Sequence, residues 1–189
     1  MARVAILIGT FMVLATSAVS AQSLPTPTPL ASASPAATAT NELPTIVVPT
    51  GWTAKATLPT LPGAVYVGAW NPPPPESPAD TIAPSYNTIS SGKPVTLEEI
   101  AQRLDAAYKK LVGAQNMIAS HAEKVCHGTA DGWYSENKLP IGTMNLILEQ
   151  TILLGKTRTF VATYGRLEAD KEDPAARASL DSICVKASA

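Results

Sequence analysis

Proline divides this chain of 189 residues into two halves with different folding physics. Fourteen of its seventeen prolines lie between Gln22 and Gly92, in a stretch with only four charged residues and no repeat. Proline has no amide proton to donate, and the surrounding alanine, serine and threonine bury little apolar surface, so such a stretch offsets little of its own ordering entropy. Residues 22–93 are therefore predicted to form an extended, disordered spacer, and residues 94–189 to form the folded domain.

The first 21 residues have the organisation of a secretory signal peptide. Arg3 precedes an apolar run from Val4 to about Ala15, and small residues ending at Ala21 follow it. The apolar run is shorter than the ~20 residues that span a bilayer, so export with cleavage is expected instead of a membrane anchor. The mature protein is predicted to be secreted, periplasmic or at the cell surface.

Residues 94–189 carry the periodicity of a helical bundle. Thr96 and Glu99 have the spacing of a capping box at the start of a helix. Apolar residues then recur at every seventh position from Leu97 to Val125, which is the pattern of a coiled-coil or bundle seam. A comparably long partner helix is needed to cover that seam.

The partner helix is predicted in the second part of this domain. The same spacing of seven returns at Leu146, Leu153, Phe160 and Leu167. Asp173 and Pro174 then supply the cap and first residue of a third, shorter helix. The expected fold is all-α: a disulfide-stapled helical hairpin or three-helix bundle with coiled-coil-like seams, its helices at about 97–126, 141–168 and 174–186.

The two cysteines, Cys126 and Cys184, are predicted to form one disulfide. An exported chain meets an oxidising compartment, where a single pair of thiols bonds to itself. Cys126 is expected at the end of the first helix and Cys184 near the end of the third, so a bond between them would staple the bundle.

A metal site is the alternative use of the same residues. His121, Cys126, His127 and Cys184 carry the right ligand types, which leaves a small ligand- or metal-binding bundle as a second interpretation. Their spacing is not that of common zinc sites, because paired C-x-x-C or H-x-x-x-H motifs are missing. No metal and no other cofactor is therefore expected.

The sequence contains no recognisable catalytic motif. Cys126 and His127 are neighbours, but adjacent residues on a helix project about 100° apart and do not face each other. Phosphate-binding loops and nucleophile elbows are also missing from the sequence. We therefore expect a protein without enzymatic activity.

Aromatic residues are the candidates for contact with a partner. Trp133 and Tyr134 are predicted in a loop, either as exposed anchors or as a cap over the open end of the bundle. Tyr66 and Trp70 lie in the segment AVYVGAW at 64–70, which is either a recognition strand or a segment packed on the helical domain.

The overall charge limits the class of partner. The formal net charge is −1, so the chain has no excess of basic residues with which to bind a nucleic acid. The sequence favours an exported structural or protein-interaction module of the cell envelope or secretion, which binds a protein partner or itself. The alternatives are the ligand- or metal-binding bundle and a self-assembling coiled-coil scaffold.

Overall fold

The computed structural model describes residues 42–58, 60, 63–74, 80–88 and 95–186. Within these residues the chain forms ten β-strands, two α-helices and a short 3-10 helix at Ala114–Asn116. The helices are α1 (Leu97–Val112) and α2 (Pro174–Asp181). The strands are β1 (Leu43–Thr45), β2 (Thr53–Ala54), β3 (Val65–Tyr66), β4 (Trp70–Asn71), β5 (Thr81–Thr88), β6 (Met117–Val125), β7 (Ala130–Ile141), β8 (Met144–Leu154), β9 (Arg158–Leu167) and β10 (Cys184–Lys186).

Eight of these strands form one antiparallel sheet. Strands β6, β7, β8 and β9 follow one another as a meander, and β5 pairs with the free side of β9. β3 and β4 both pair with β5, and β2 pairs with β4. The remaining strands, β1 and β10, form a separate two-stranded ribbon.

The prediction of an all-α bundle with coiled-coil seams is wrong. Leu146 and Leu153 lie in β8, and Phe160 and Leu167 lie in β9. Because seven is an odd number, residues seven apart in a strand point to opposite faces, and Leu146 and Leu153 indeed lie in two different cores. Both faces of β8 are buried, so its sequence lacks the alternation of polar and apolar residues that marks a half-buried strand, and periodicity does not distinguish it from a buried helix.

The predicted helix boundaries change accordingly. The first helix, predicted at 97–126, ends at Val112, where Gly113 adopts a φ of +84° that favours glycine. The rest of that segment forms the 3-10 helix and β6. The segment 141–168 contains strands instead of a helix, and the third helix, predicted at 174–186, ends at Asp181 before β10.

Two of the three predicted helix starts are confirmed. The amide of Glu99 donates to Oγ1 of Thr96, and the amide of Thr96 donates to Oε2 of Glu99, each over 3.1 Å. Asp173 caps α2 by accepting a hydrogen bond from the amide of Ala175, and Pro174 is the first helical residue. Helix caps depend only on neighbouring residues, so these two predictions are correct although the predicted overall fold is not.

The prediction of a disordered spacer at 22–93 is also wrong for the part that the structure describes. β5 lies inside the sheet and pairs with β9 along its whole length, from Thr81 to Thr88. β1 to β4 also come from this half of the chain. The expected boundary at residue 94 therefore cuts through the sheet. The predicted signal peptide at 1–21 and the spacer up to residue 41 lie outside the described residues.

The segment AVYVGAW forms an irregular edge of the sheet. Val65 pairs with Tyr86 and Trp70 pairs with Ile82, so the register shifts by one residue between β3 and β4. A Cβ added to Gly68 would lie 2.1 Å from the ring of Trp70, which shows that this ring folds back over Gly68. Of the two interpretations of this segment, packing onto the folded domain is the one that the structure supports.

The two helices cover opposite faces of the sheet. Leu104 and Tyr108 of α1 pack with apolar residues of β7, β8 and β9 in one core. Ala176 and Leu180 of α2 pack in a second core, with Phe160 and other residues of β5, β8 and β9. No helix in the described part of the chain is long and apolar enough to cross a membrane.

The predicted disulfide between Cys126 and Cys184 is present. It joins the turn between β6 and β7 to the C-terminal strand β10. The amide of Cys126 also donates to the carbonyl of Asp181 over 2.9 Å. The bond therefore fastens the end of α2 and the β1–β10 ribbon to the main sheet.

Candidate functional site

A network of charged and polar side chains lies on the sheet face that α2 covers. Glu136 of β7 and Glu149 of β8 are direct register partners, and Arg166 of β9 contacts both. Register partners on antiparallel strands point to the same face, which brings these side chains together. We call the following residues the charged network: Glu123, Tyr134, Glu136, Glu149, Arg166 and Arg177.

Glu149 is the most deeply buried member, with 1% of its surface exposed. Its Oε1 accepts a hydrogen bond from Nε of Arg166 over 3.2 Å, and its Oε2 lies 3.2 Å from the hydroxyl of Tyr134. The same hydroxyl lies 3.3 Å from Oε2 of Glu136. A phenol carries one proton, so Tyr134 can donate to only one of the two carboxylates at a time.

These contacts change the acidity of the network. Burial raises the pKa of the Glu149 carboxyl; the negative charge of Glu172 adds to this shift, and Arg166 opposes it. Burial also raises the pKa of the Tyr134 hydroxyl, and the nearby carboxylates Glu149 and Glu136 raise it further. Burial therefore favours the protonated forms of Glu149 and Tyr134, whereas the Arg166 guanidinium favours the ionised form of Glu149.

Arg177 connects the network to α2. Its guanidinium carbon lies 3.9 Å from the centre of the Tyr134 ring, a cation–π contact. It also forms ion pairs with Glu123 of β6 and with Asp181 of its own helix. The ring of His121 lies 5.2 Å from that of Tyr134. The network therefore fixes the position of α2 relative to β6 and β7.

A second set of polar contacts lies beneath α1. Nε1 of Trp133 donates to Oγ of Ser120, and that hydroxyl donates to Oδ2 of Asp105, each over 2.8 Å. The hydroxyl of Tyr108 donates to Oε1 of Gln150, also over 2.8 Å. These bonds join α1 to β6, β7 and β8. No histidine takes part in them, so they supply no general base for a nucleophilic serine.

Two of the four candidate metal ligands, Cys126 and Cys184, cannot bind a metal ion as thiolates. Cys126 and Cys184 are bonded to each other, so neither offers a thiolate. In the part of the chain that the structure describes, no three residues of the types His, Cys, Asp and Glu are grouped to hold a metal ion.

Four large apolar side chains are exposed at the end of the sheet where β6 begins and β7 turns into β8. Leu111 lies in the last turn of α1 and is 44% exposed. Ile118 lies at a register shift of β6 and is 52% exposed. Ile141 and Met144 are register partners on either side of the β7–β8 turn. We call these four residues the apolar rim.

A cleft of about 380 Å³ lies between the N-terminal segment and the loop that leads into α2. Its walls combine apolar and charged side chains, chiefly Trp52, Pro49, Pro72, Pro73, Asp80, Lys171, Glu172 and Asp173. Its volume is within the range of small-molecule and side-chain binding pockets.

Comparison with known proteins gives a fold but no family. No family model and no curated protein sequence matches the chain. Among solved structures, the chain is similar to LpqN of Mycobacterium tuberculosis, described as involved in cell envelope biogenesis, with a TM-score of 0.55 and 15% sequence identity over 78% of this chain and 85% of LpqN. At this identity the likeness shows the shared β-rich fold alone.

Two further structures match with lower TM-scores. A Pseudomonas aeruginosa protein of unknown function, PA94, has a TM-score of 0.40 and 16% identity over 63% of this chain and 85% of its own. CyanoP, the cyanobacterial PsbP of Synechocystis sp. PCC 6803, has a TM-score of 0.44 and 12% identity over 75% of this chain and 88% of its own.

All four aromatic residues predicted to contact a partner lie in strands, including the two that were predicted in a loop. Trp133 and Tyr134 lie in β7, where Trp133 points to the α1 face and Tyr134 is buried in the charged network. Tyr66 and Trp70 are half-buried in β3 and β4 at the edge of the sheet. Their role in contacting a partner stays a prediction.

The two histidines lie in different parts of the fold. His121 is an exposed residue of β6 beside Tyr134, whereas His127 lies in the β6–β7 turn with a φ of +57°. His121 was predicted within the first helix, at 97–126, and lies in β6 instead.

Sequence reasoning missed the charged network entirely. Glu149 and Arg166 interrupt apolar runs on either side of Gly155, and in a strand–turn–strand arrangement such charges come close together. Recognition of a hairpin around Gly155 would have been the signal.

Proposed function

We propose that this protein is an exported protein-interaction module of the cell envelope. The sheet and its two helices form a rigid support, and the protein acts by binding without catalysing a reaction. The disulfide and the sequence of the first 21 residues support a location outside the cytoplasm. LpqN, which shares the fold, is described as involved in cell envelope biogenesis, and the proposal extends that setting to this chain.

The apolar rim is the observation that carries this proposal. Single exposed apolar residues are normal on protein surfaces, but Leu111, Ile118, Ile141 and Met144 come from four elements, and all four lie around the start of β6 and the β7–β8 turn. Exposed apolar side chains gathered in one region mark surfaces that other proteins cover. The polar side chains of the two sheet faces, by comparison, bond chiefly to one another within the chain, as Tyr108 does to Gln150 and Arg166 to Glu149.

Site-specific photo-crosslinking in the producing cells tests the proposal. A photoreactive amino acid at Ile141 or Met144 should give a discrete protein adduct. The same group at the exposed Asp131, at the opposite end of β7, serves as control and should give none. An adduct with the mass of two chains would identify a second copy as the partner.

A second variant separates binding from folding. Met144→Asp should abolish the adduct formed from Ile141 while the melting temperature changes little, because Met144 is exposed. Adducts of equal yield from the rim and from Asp131, or none from either rim position, would contradict a role of the rim in binding.

A further inference from the structure

We propose that the cleft beside Trp52 binds a basic side chain, lysine or arginine, presented by a protein partner. This inference rests on the proposed function, because it names the chemistry of one group that the partner would supply. The cleft is separate from the apolar rim: it is formed by the N-terminal segment and the loop before α2. Its walls decide which ligand it fits.

The charged part of the wall favours a cation. Asp80, Glu172 and Asp173 contribute three carboxylates, whereas Lys171 contributes one ammonium group. Asp80 is only 6% exposed and already interacts within the chain, so it adds negative charge to a region with little water, whereas Glu172 is the exposed carboxylate. Burial raises the pKa of the Tyr164 hydroxyl, and the negative charge of Asp80 raises it further.

The start of α2 does not make the cleft an anion site. The first amide groups of a helix attract anions when they are free. Here Pro174 has no amide proton, and the amide of Ala175 already donates to Oδ1 of Asp173 over 2.8 Å. The cap carboxylate therefore occupies the position that an anionic ligand would take, and adds its own negative charge.

The apolar part of the wall fits the stem of a basic side chain. Trp52 meets Tyr164 edge to face, with 6.3 Å between the ring centres, and its amide donates to the carbonyl of Pro49. Three prolines, Pro49, Pro72 and Pro73, supply further rigid apolar surface that loses little entropy when a ligand binds. An indole beside carboxylates is a favourable environment for an ammonium or guanidinium group, and the methylene groups of lysine or arginine can pack on the prolines.

Titration with small amides tests this site without any need for the partner. The probes are N-acetyl-lysine amide and N-acetyl-arginine amide, and the matched neutral probes are N-acetyl-norleucine amide and N-acetyl-citrulline amide. The indole NMR signal of Trp52, assigned with Trp52→Leu, should shift with the two basic probes at millimolar concentration and not with the neutral ones. Equal shifts with charged and neutral probes, or no shift with any, would overturn the proposal.

Two exposed residues of the wall give opposite predictions. Glu172→Gln should weaken binding of the lysine probe by about two- to fivefold, and Lys171→Met, which removes a competing cation, should strengthen it by a similar factor. Asp131→Asn removes an exposed carboxylate far from the cleft and should leave binding unchanged. If Lys171→Met weakens binding, the electrostatic argument is wrong.

The source of the cation is tested in the same titration. Butylammonium carries the charge of lysine without the peptide groups, so it should bind more weakly than the lysine probe; equal binding would contradict a protein source. The outcome is distinguishable from that of the crosslinking experiment. If the basic probes do not bind the cleft, the crosslinked adducts at the apolar rim are still expected. If the apolar rim gives no adducts, the result of the titration is still valid.

Discussion

Ile82 of β5 and Tyr164 of β9 are register partners, and both are completely buried. Ile82 belongs to the proline-rich half of the chain and Tyr164 to the second half, so this pair joins the two halves in one core. Pro84 lies two residues further along the same strand, where its carbonyl accepts from the amide of Val67. A proline in a strand donates no hydrogen bond, yet β5 keeps its full register with β9.

A shortened chain beginning at Lys93 should not fold cooperatively. It lacks β5, so one side of β9 loses its partner strand and the core under α2 loses Ile82. Thermal unfolding followed by circular dichroism should show no sharp transition, whereas a chain beginning at residue 42 should keep one. A cooperative transition at the same temperature in both chains would show that the N-terminal strands are dispensable.

The sequence predicted what depends on neighbouring residues. The capping box at Thr96 and the cap at Asp173 are confirmed. The pairing of Cys126 with Cys184 is also confirmed, although it joins residues 58 apart, because the chain has only two cysteines. The type of the long elements was not predictable from periodicity, because helices cover both faces of the central strands. Glu149, Gln150 and Thr151 illustrate this: three consecutive polar residues of β8 are all buried, so no alternation of polar and apolar residues remains.

The candidate site could be predicted only in part for a related reason. The rim residues Leu111 and Ile118 look like core positions of a heptad, and their exposure follows from the end of α1 at Gly113 and the start of β6. The charged network needs the register of β7, β8 and β9, which joins residues far apart in the chain. Such pairing depends on tertiary contacts that a short window of sequence does not contain.

Removal of the disulfide should cost about 4 kcal/mol of unfolding free energy on the chain-entropy model. The two cysteines are 58 residues apart, so the bond closes a long loop in the unfolded chain. Equilibrium unfolding in urea should show this loss when the double variant Cys126→Ala, Cys184→Ala is compared with the oxidised protein. Alkylation of the native protein without reductant, followed by mass spectrometry, should find no free thiol. Labelling of both cysteines would contradict the bond.

Glu149→Gln should change how stability depends on pH. Because the pKa of Glu149 is raised in the folded protein, the folded state binds its proton more tightly than the unfolded state. The resulting stabilisation is complete below the unfolded pKa of about 4.3 and is lost as the pH rises through the folded pKa. Relative to the natural protein, the variant should therefore gain stability with increasing pH. Urea unfolding at a series of pH values measures this, and a difference independent of pH would refute it. Asp131→Asn, at an exposed position, is the control.

Tyr108→Phe should destabilise the protein by about 1–2 kcal/mol, because it leaves Oε1 of the buried Gln150 without the donor that lies 2.8 Å away. Tyr86→Phe is a matched control, since the contact of Arg158 with the Tyr86 ring, 4.2 Å from its centre, does not need the hydroxyl. The control should change stability by less than about 0.5 kcal/mol. Equal effects of the two substitutions in urea unfolding would show that the buried hydrogen bond contributes little.

Leu104→Ala and Leu111→Ala form the sharpest test of the fold, since the two leucines are seven residues apart in α1 and would be equivalent in a coiled coil. In the structure Leu104 is 7% exposed and packs in the core under α1, whereas Leu111 is 44% exposed. Leu104→Ala should cost about 2–5 kcal/mol through lost burial and a cavity. Leu111→Ala should cost clearly less, about 1 kcal/mol, because nearly half of this residue's surface is already in water.

The same pair connects the fold to the proposed function. Leu111 belongs to the apolar rim, so its replacement should lower the yield of the crosslinked adduct from Ile141, with a much smaller loss of melting temperature than Leu104→Ala causes. Leu104→Ala should lower the melting temperature and, at temperatures where the protein stays folded, leave the adduct unchanged. A large loss of stability from Leu111→Ala would mean that this side chain is covered in the folded protein, and it would remove Leu111 from the binding surface.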